Sequence, residues 1–239
     1  MMRDVVEKPK RGWGGRREGA GRKPFERRRH DSPHRPRKAL ASHHPVHVVL
    51  RLTPGVSSLR TRTMYGTIRR VLAHFLGRAD FRFVHVSLQG NHLHLLVEAQ
   101  HASALRKGMQ SFAIRAARAI NRAMGRVGKV FAYRYHATYI VTPRQARNTL
   151  AYVLNNWRKH REHCANARTL AAAIDPYASG LAFTGWRAVR FATPAGYVPL
   201  PTSPPSTRLL TTDWRQHGLI DPYETPGPVD PRFARRGAL

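Results

Sequence analysis

The run Gln89-Gly90-Asn91-His92-Leu93-His94-Leu95-Leu96-Val97 sets two histidines one residue apart. In an extended strand, alternate side chains leave by opposite faces. His92 and His94 then share one face, while Leu93, Leu95 and Val97 occupy the other, core-facing side. Neutral imidazoles are common metal ligands, and a pair held this way binds one divalent ion if a third donor arrives from elsewhere. On spacing alone, two half-exposed histidines on a sheet face remain the alternative. A second constellation follows in a helical stretch. Tyr152 and Asn156, four residues apart, share a helix face, with Asn155 and Lys159 flanking it and Leu150, Val153, Leu154 and Trp157 turned toward a core. Beside a metal, a phenol can attack a DNA phosphorus and form a phosphotyrosyl link. The ion polarises the scissile phosphate, and the Asn156 amide oxygen could complete its coordination. Taken alone, a tyrosine on a polar helix face is equally an amphipathic surface residue. Tyr133, Tyr135 and Tyr139 are rival nucleophiles, but they fall in strand or pre-strand sequence and lack a helical asparagine partner. His43, His44, His47, His85 and His136 are scattered and read as surface or packing residues. Asn91 serves the turn, and Glu98, on the strand face of the two histidines, is placed at the rim.

Charge narrows the chemistry. The chain carries 42 Lys+Arg against 13 Asp+Glu, a formal net charge of +29, the footprint of a polyanion partner. Between residues 32 and 161 only Asp80 and Glu98 are acidic. A site built from several carboxylates, as in many two-metal nucleases, cannot be assembled there. Any metal must rely on His, Asn, Gln, water and the substrate's phosphates. The single cysteine, Cys164, excludes an intramolecular disulfide and Cys-rich zinc modules and suits a reducing compartment. No apolar run is long enough for a membrane span. These features predict a soluble, cytoplasmic, DNA-associated protein.

The elements that must position these residues can be read from hydrophobic period. Residues 1–45 are Arg-, Gly- and Pro-rich and predict a disordered basic arm. Within it, Gly19-Ala20-Gly21-Arg22-Lys23-Pro24 loosely resembles a minor-groove hook. From 46 to 163 the periods alternate. A strand at 47–52 stops at Pro54-Gly55, and a helix follows from a cap at Ser57 or Ser58, with Leu59, Met64, Ile68, Val71, Leu72 and Phe75 as its apolar stripe. Strands at 81–88 and 92–98 form a hairpin through Gln89-Gly90-Asn91. A helix at 102–124 turns Leu105, Met109, Phe112, Ala116, Ile120 and Met124 inward. Its outer faces carry Arg106, Lys107, Arg115, Arg118 and Arg122, for which phosphate is the expected partner. A strand at 135–141 precedes a helix capped by Thr142, with Pro143 at its first position, running to about His163. The order βαββαβ(α) predicts an α+β, ferredoxin-like antiparallel sheet with central first and third strands. It also predicts that the sheet face opposite the first two helices is open to substrate. Residues 164–239 read as an irregular, Pro-rich extension that packs on or wraps the core.

With these residues in view, the chain resembles a single-tyrosine transposase of the HUH (His-hydrophobic-His) endonuclease superfamily. The resemblance is to the insertion-sequence transposase-like group that includes repetitive-palindrome-associated tyrosine transposases. It rests on Gly90-Asn91-His92-Leu93-His94-Leu95-Leu96-Val97, on Tyr152-Val153-Leu154-Asn155-Asn156 and on Val130-Phe131-Ala132-Tyr133-Arg134-Tyr135-His136, within residues 46–163. It implies His92 and His94 as metal ligands, Tyr152 as nucleophile, Asn156 as third ligand and Mg²⁺ or Mn²⁺ as cofactor. It implies cleavage of single-stranded DNA near hairpins, leaving a 5′-phosphotyrosine and a free 3′-hydroxyl, followed by rejoining. Gly90 departs from the proline common in relatives and should alter only the turn. DNA contacts are expected from Arg106, Arg115, Arg118, Arg122, Lys159, Arg22 and Lys23. A homodimer that exchanges helices and a domesticated nucleic-acid-binding protein without transposition both stay open, and an RNA-binding role is a weaker third reading.

The arm generates the first prediction. Residues 1–40 hold fourteen Lys/Arg against five Asp/Glu. Their deletion should weaken DNA binding and make its salt dependence shallower, because fewer counterions are released. Filter binding across a salt series measures this. An unchanged slope would show that the arm does not contact phosphate.

Overall fold

The computed structural model describes residues 40–165, 172–187 and 196–227; Arg22 and Lys23 lie outside them. Four strands form one antiparallel sheet: β1 (Val46–Arg51), β2 (Phe81–Leu88), β3 (His92–Ala99) and β4 (His136–Tyr139). Their order across the sheet is β2-β3-β1-β4, so β1 and β3 are central. Three main helices accompany it: α1 (Arg62–Ala73), α2 (Ala102–Ala123) and α3 (Pro143–Lys159). The fold is the α+β, βαββαβα arrangement that the sequence predicts.

Local chemistry explains the helix starts. Thr142 accepts from the Gln145 N–H and Pro143 opens α3, a cap that relieves one unpaired amide donor. His101 plays the same part for α2, accepting from the Ala104 N–H. The start of α1 differs from expectation. Its cap is Thr61, not Ser57 or Ser58. The intervening chain is irregular because Leu59 is drawn into the core and Arg60 turns in to reach the Leu88 carbonyl and Asp175. At its far end α3 stops at Lys159, before the expected His163, because Arg161 takes a left-handed conformation (φ 56°). That turn returns the chain so that Glu162 meets Arg60.

Two apolar layers sandwich the sheet. On one face Val46, Val48, Leu50, Leu93, Leu95 and Val97 pack with Ile68, Leu72, Met109 and Phe112 of α1 and α2. Gly108 lets α2 lie against the Phe81 ring, where even a methyl group has no room. On the other face Val84 and Leu96 meet Leu150, Ala151 and Leu154 of α3, together with Ile174, Trp186, Leu209, Leu210, Trp214 and Ile220 from the C-terminal segments. Val84 reaches this face at a register shift between Phe83 and His85, a bulge that re-aims one side chain.

This second layer overturns the expectation of an open substrate face: α3 and the C-terminal segments cover it. Glu98 is corrected with it. Instead of standing at a rim, Glu98 is buried and accepts from the backbone and hydroxyls of Ser206 and Thr207 at 2.7–2.9 Å. These segments also close the edge of β2, where Leu88 N–H donates to Tyr177 O and Ser203 N–H to Phe83 O. A paired edge cannot recruit a foreign strand. Further anchors hold α3 itself. Arg147 grips Glu224 through two 2.7 Å bonds, Asn155 donates to Asp221 O, and Arg158 donates to Pro222 O and Ala173 O.

Trp214 sits 1 % exposed at the centre of this layer. Replacing it with alanine should cost about 3–5 kcal/mol, read as a lower midpoint in urea denaturation. A change below about 1 kcal/mol would mean that the C-terminal segments do not hold α3.

Candidate active site

The site forms where the N-terminal end of β3 and the C-terminal half of α3 face one another. Antiparallel register sets His94 opposite Val49 of β1 and Ser87 of β2, and His92 opposite Arg51. The two imidazoles converge, with His92 Nε2 and His94 Nε2 2.9 Å apart. Each ring is held through its other nitrogen: His92 Nδ1 lies 2.7 Å from Asn91 Oδ1, and His94 Nδ1 lies 3.0 Å from His47 Nε2. The α3 side completes the enclosure. The Tyr152 ring stands edge-on to His94, centroids 5.1 Å apart, and His160 stands 5.5 Å from His92. Asn156 falls one helical turn from each, on the stripe that carries both.

Burial sets the protonation states. It pushes His92 down to about 3 and His47 to about 4, and it holds His94 well below the ordinary imidazole range. Neighbouring cations and imidazoles add to the shift at His92 and His94: His160 and Arg51 at His92, Lys159 at His94. All three rings are therefore neutral at pH 7 and offer lone pairs. Burial also raises the Tyr152 phenol above its ordinary value, so it is protonated before reaction. The Lys159 ammonium lies 4.9 Å from the Tyr152 ring centre, where a cation is attracted by the ring face.

The donor set fits a divalent ion. His92 Nε2 and His94 Nε2, 2.9 Å apart, would offer imidazole lone pairs to such an ion. Among the described residues no three His, Cys, Asp or Glu side chains converge on one point, so a third protein donor must be of another kind. Asn156 would be of that kind: it is fully buried, and neither its Oδ1 nor its Nδ2 has a hydrogen-bond partner. An unpaired buried amide costs about 1–3 kcal/mol.

The remaining expected residues divide clearly. Lys159 is exposed beside Tyr152. Arg106, Arg115, Arg118 and Arg122 are exposed on α2, in the layer across the sheet from His92 and His94. Tyr135 and Tyr139 pack against the α1/α2 core, and Tyr133 is exposed before β4. His85 is buried with its Nδ1 3.1 Å from Ser179 Oγ, well apart in role. Sequence reasoning missed His47, His160 and the grip of Asn91 on His92. The alternation Val46-Val48-Leu50 already puts His47 on the outward face of β1. The contact with His94 comes from register.

Residues 41–156 match the family described as IS200-like transposases. This segment contains the residues of the site up to Asn156 and is similar to that family. Among solved structures, one of a REP-associated tyrosine transposase bound to a REP hairpin is similar at 16 % identity and a TM-score of 0.44, over 54 % of this chain and 74 % of that one. No curated protein matches the chain. No described helix is long and apolar enough to cross a membrane.

Asn156 yields the next prediction. With chelator present, Asn156→Leu should raise stability by about 1–2 kcal/mol, because an apolar side chain of similar volume replaces an unpaired amide. Urea denaturation reads it. A loss of stability instead would mean that the amide has structural partners in solution.

Proposed function

We propose that the protein nicks and rejoins single-stranded or hairpin DNA through a covalent 5′-phosphotyrosine on Tyr152, with Mg²⁺ or Mn²⁺ held by His92, His94 and Asn156. The observation that carries this reading is the convergence of two neutral histidine nitrogens and a tyrosine ring on one buried point between β3 and α3. The match of residues 41–156 to the IS200-like transposase family supports it, as does the net charge of +29.

When bound, the ion neutralises charge on the scissile phosphate and orients it. The chain's own residues do the rest. Tyr152 Oη bonds to phosphorus as the bond from phosphorus to the 3′-oxygen breaks. The phenolic proton is in balance taken up by that leaving oxygen, giving a free 3′-hydroxyl, and reversal with a second 3′-end rejoins the strands. Buried aromatic and imidazole surfaces exclude water from the phosphotyrosine, and the fixed helix holds the phenol within reach of the phosphate. Lys159, exposed beside Tyr152, is positioned to meet the incoming phosphodiester.

The test is incubation of the full chain with a single-stranded hairpin oligonucleotide and Mn²⁺, followed by a denaturing gel. A covalent adduct is expected, mapped to Tyr152 by mass spectrometry. Tyr152→Phe should abolish it while leaving DNA affinity intact. His92→Ala and His94→Ala should each reduce cleavage by about 10²-fold or more. An adduct on Tyr133, Tyr135 or Tyr139 would overturn the nucleophile. Tight DNA binding with no adduct under Mg²⁺ or Mn²⁺ would instead favour a nucleic-acid-binding protein that does not cut.

A further inference from the structure

His47 is not among the groups proposed to hold the ion, yet its ring is built into the site. It is 5 % exposed, lies 24° from parallel to the His94 ring with centroids 5.2 Å apart, and meets the edge of Tyr152 at 5.8 Å. Its Nε2 is 3.0 Å from His94 Nδ1. A neutral imidazole carries one proton on either of two nitrogens. The row His47–His94–His92–Asn91 can therefore be satisfied in two ways. In the first, His47 Nε2–H donates to His94 Nδ1 and His94 Nε2–H donates to His92 Nε2. In the second, His94 Nδ1–H donates to His47 Nε2, and the Nε2 lone pairs of His92 and His94 both face the same point. Only the second arrangement can receive a cation. His92 Nδ1–H donates to Asn91 Oδ1 in both.

We infer that His47 is a positioning residue for ion binding. By accepting from His94 Nδ1–H it holds His94 in the tautomer whose Nε2 is free. The inference rests on the proposed role of His92 and His94 as ligands. The physical need is specific to this buried strand pair. The acceptor must reach His94 from the neighbouring central strand, and β1 presents His47 there by register. Without His47, the His94 Nδ1–H loses its acceptor, and the tautomer that donates to His92 becomes the satisfied one. Partners that orient metal-bound histidines in this way are worth about 10–100-fold in affinity.

The test uses the full chain and has two readouts. Mn²⁺ affinity is measured by the paramagnetic resonance of free ion for the wild type, His47→Leu, His47→Gln and the His92→Ala/His94→Ala double variant. His47→Leu should bind about 10–100-fold more weakly. His47→Gln should stay close to wild type, because its side-chain oxygen can take the acceptor's place. The second readout needs no variant: long-range proton–nitrogen spectra of the Mg²⁺-loaded wild type should show the His94 proton on Nδ1. A folded His47→Leu that binds Mn²⁺ as the wild type does, or a His94 proton on Nε2 with Mg²⁺ bound, overturns the role of His47. Wild-type affinity in the His92→Ala/His94→Ala variant overturns the ligand assignment itself, and the inference falls with it.

Discussion

The seating of α3 on the outward face of β2 and β3 is the contact on which the candidate site depends. Val84 and Leu96 turn outward on that face and would meet water if α3 did not cover them. Leu150, Ala151 and Leu154 cover them, backed by Trp186, Leu209, Leu210, Trp214 and Ile220. Because these apolar groups alternate along the elements with the polar ones, the same seating that dries Leu96 brings Tyr152 against His94 and buries Asn156. Burying apolar surface stabilises by about 25 cal/mol per Å², and this offsets the cost of enclosing imidazoles and an amide without full hydrogen bonding. The polar site is thus positioned by its apolar surroundings.

The C-terminal segments make that seating specific. Apolar contact alone would allow α3 to slide, since hydrophobic attraction is not directional. Fixed hydrogen bonds remove that freedom. Glu98, on the same strand as His92 and His94, binds the backbone and hydroxyls of Ser206 and Thr207. Arg147, Asn155 and Arg158 of α3 bind Glu224, Asp221 and the carbonyls of Pro222 and Ala173. Arg60 binds Asp175 through two 2.9 Å bonds, and Asp175 is fully buried. Strand and helix are therefore tied to one another through a third party.

The scarcity of acidic residues acquires a structural reading. Every described carboxylate is engaged: Asp80 with Arg78, Glu98 with Ser206 and Thr207, Glu162 and Asp175 with Arg60, Asp213 with Arg208, Asp221 with the Tyr223 amide and Glu224 with Arg147. They act as fasteners. Beside Tyr152 stands the Lys159 ammonium, and Arg51 acts on His92.

Much of this was legible in the residues themselves. Alternation along 92–97 assigned the faces of β3, the Thr142-Pro143 cap fixed where α3 begins, and the fourfold spacing of Tyr152 and Asn156 put them on one stripe. These are local properties, set by the period of a strand or helix and by its first unpaired amides. Local period could not say what lies across an interface. The outward sheet face read as open because the residues that cover it are short irregular segments without periodicity. Glu98 read as a rim residue because its partners, Ser206 and Thr207, are remote in sequence. His47 read as packing because its value lies in register with β3, and register is decided by pairing between strands. The types of group and the faces they occupy were written in the chain; which of them meet, and how dry the meeting place is, only the tertiary structure decided, because burial and register are properties of surfaces brought together.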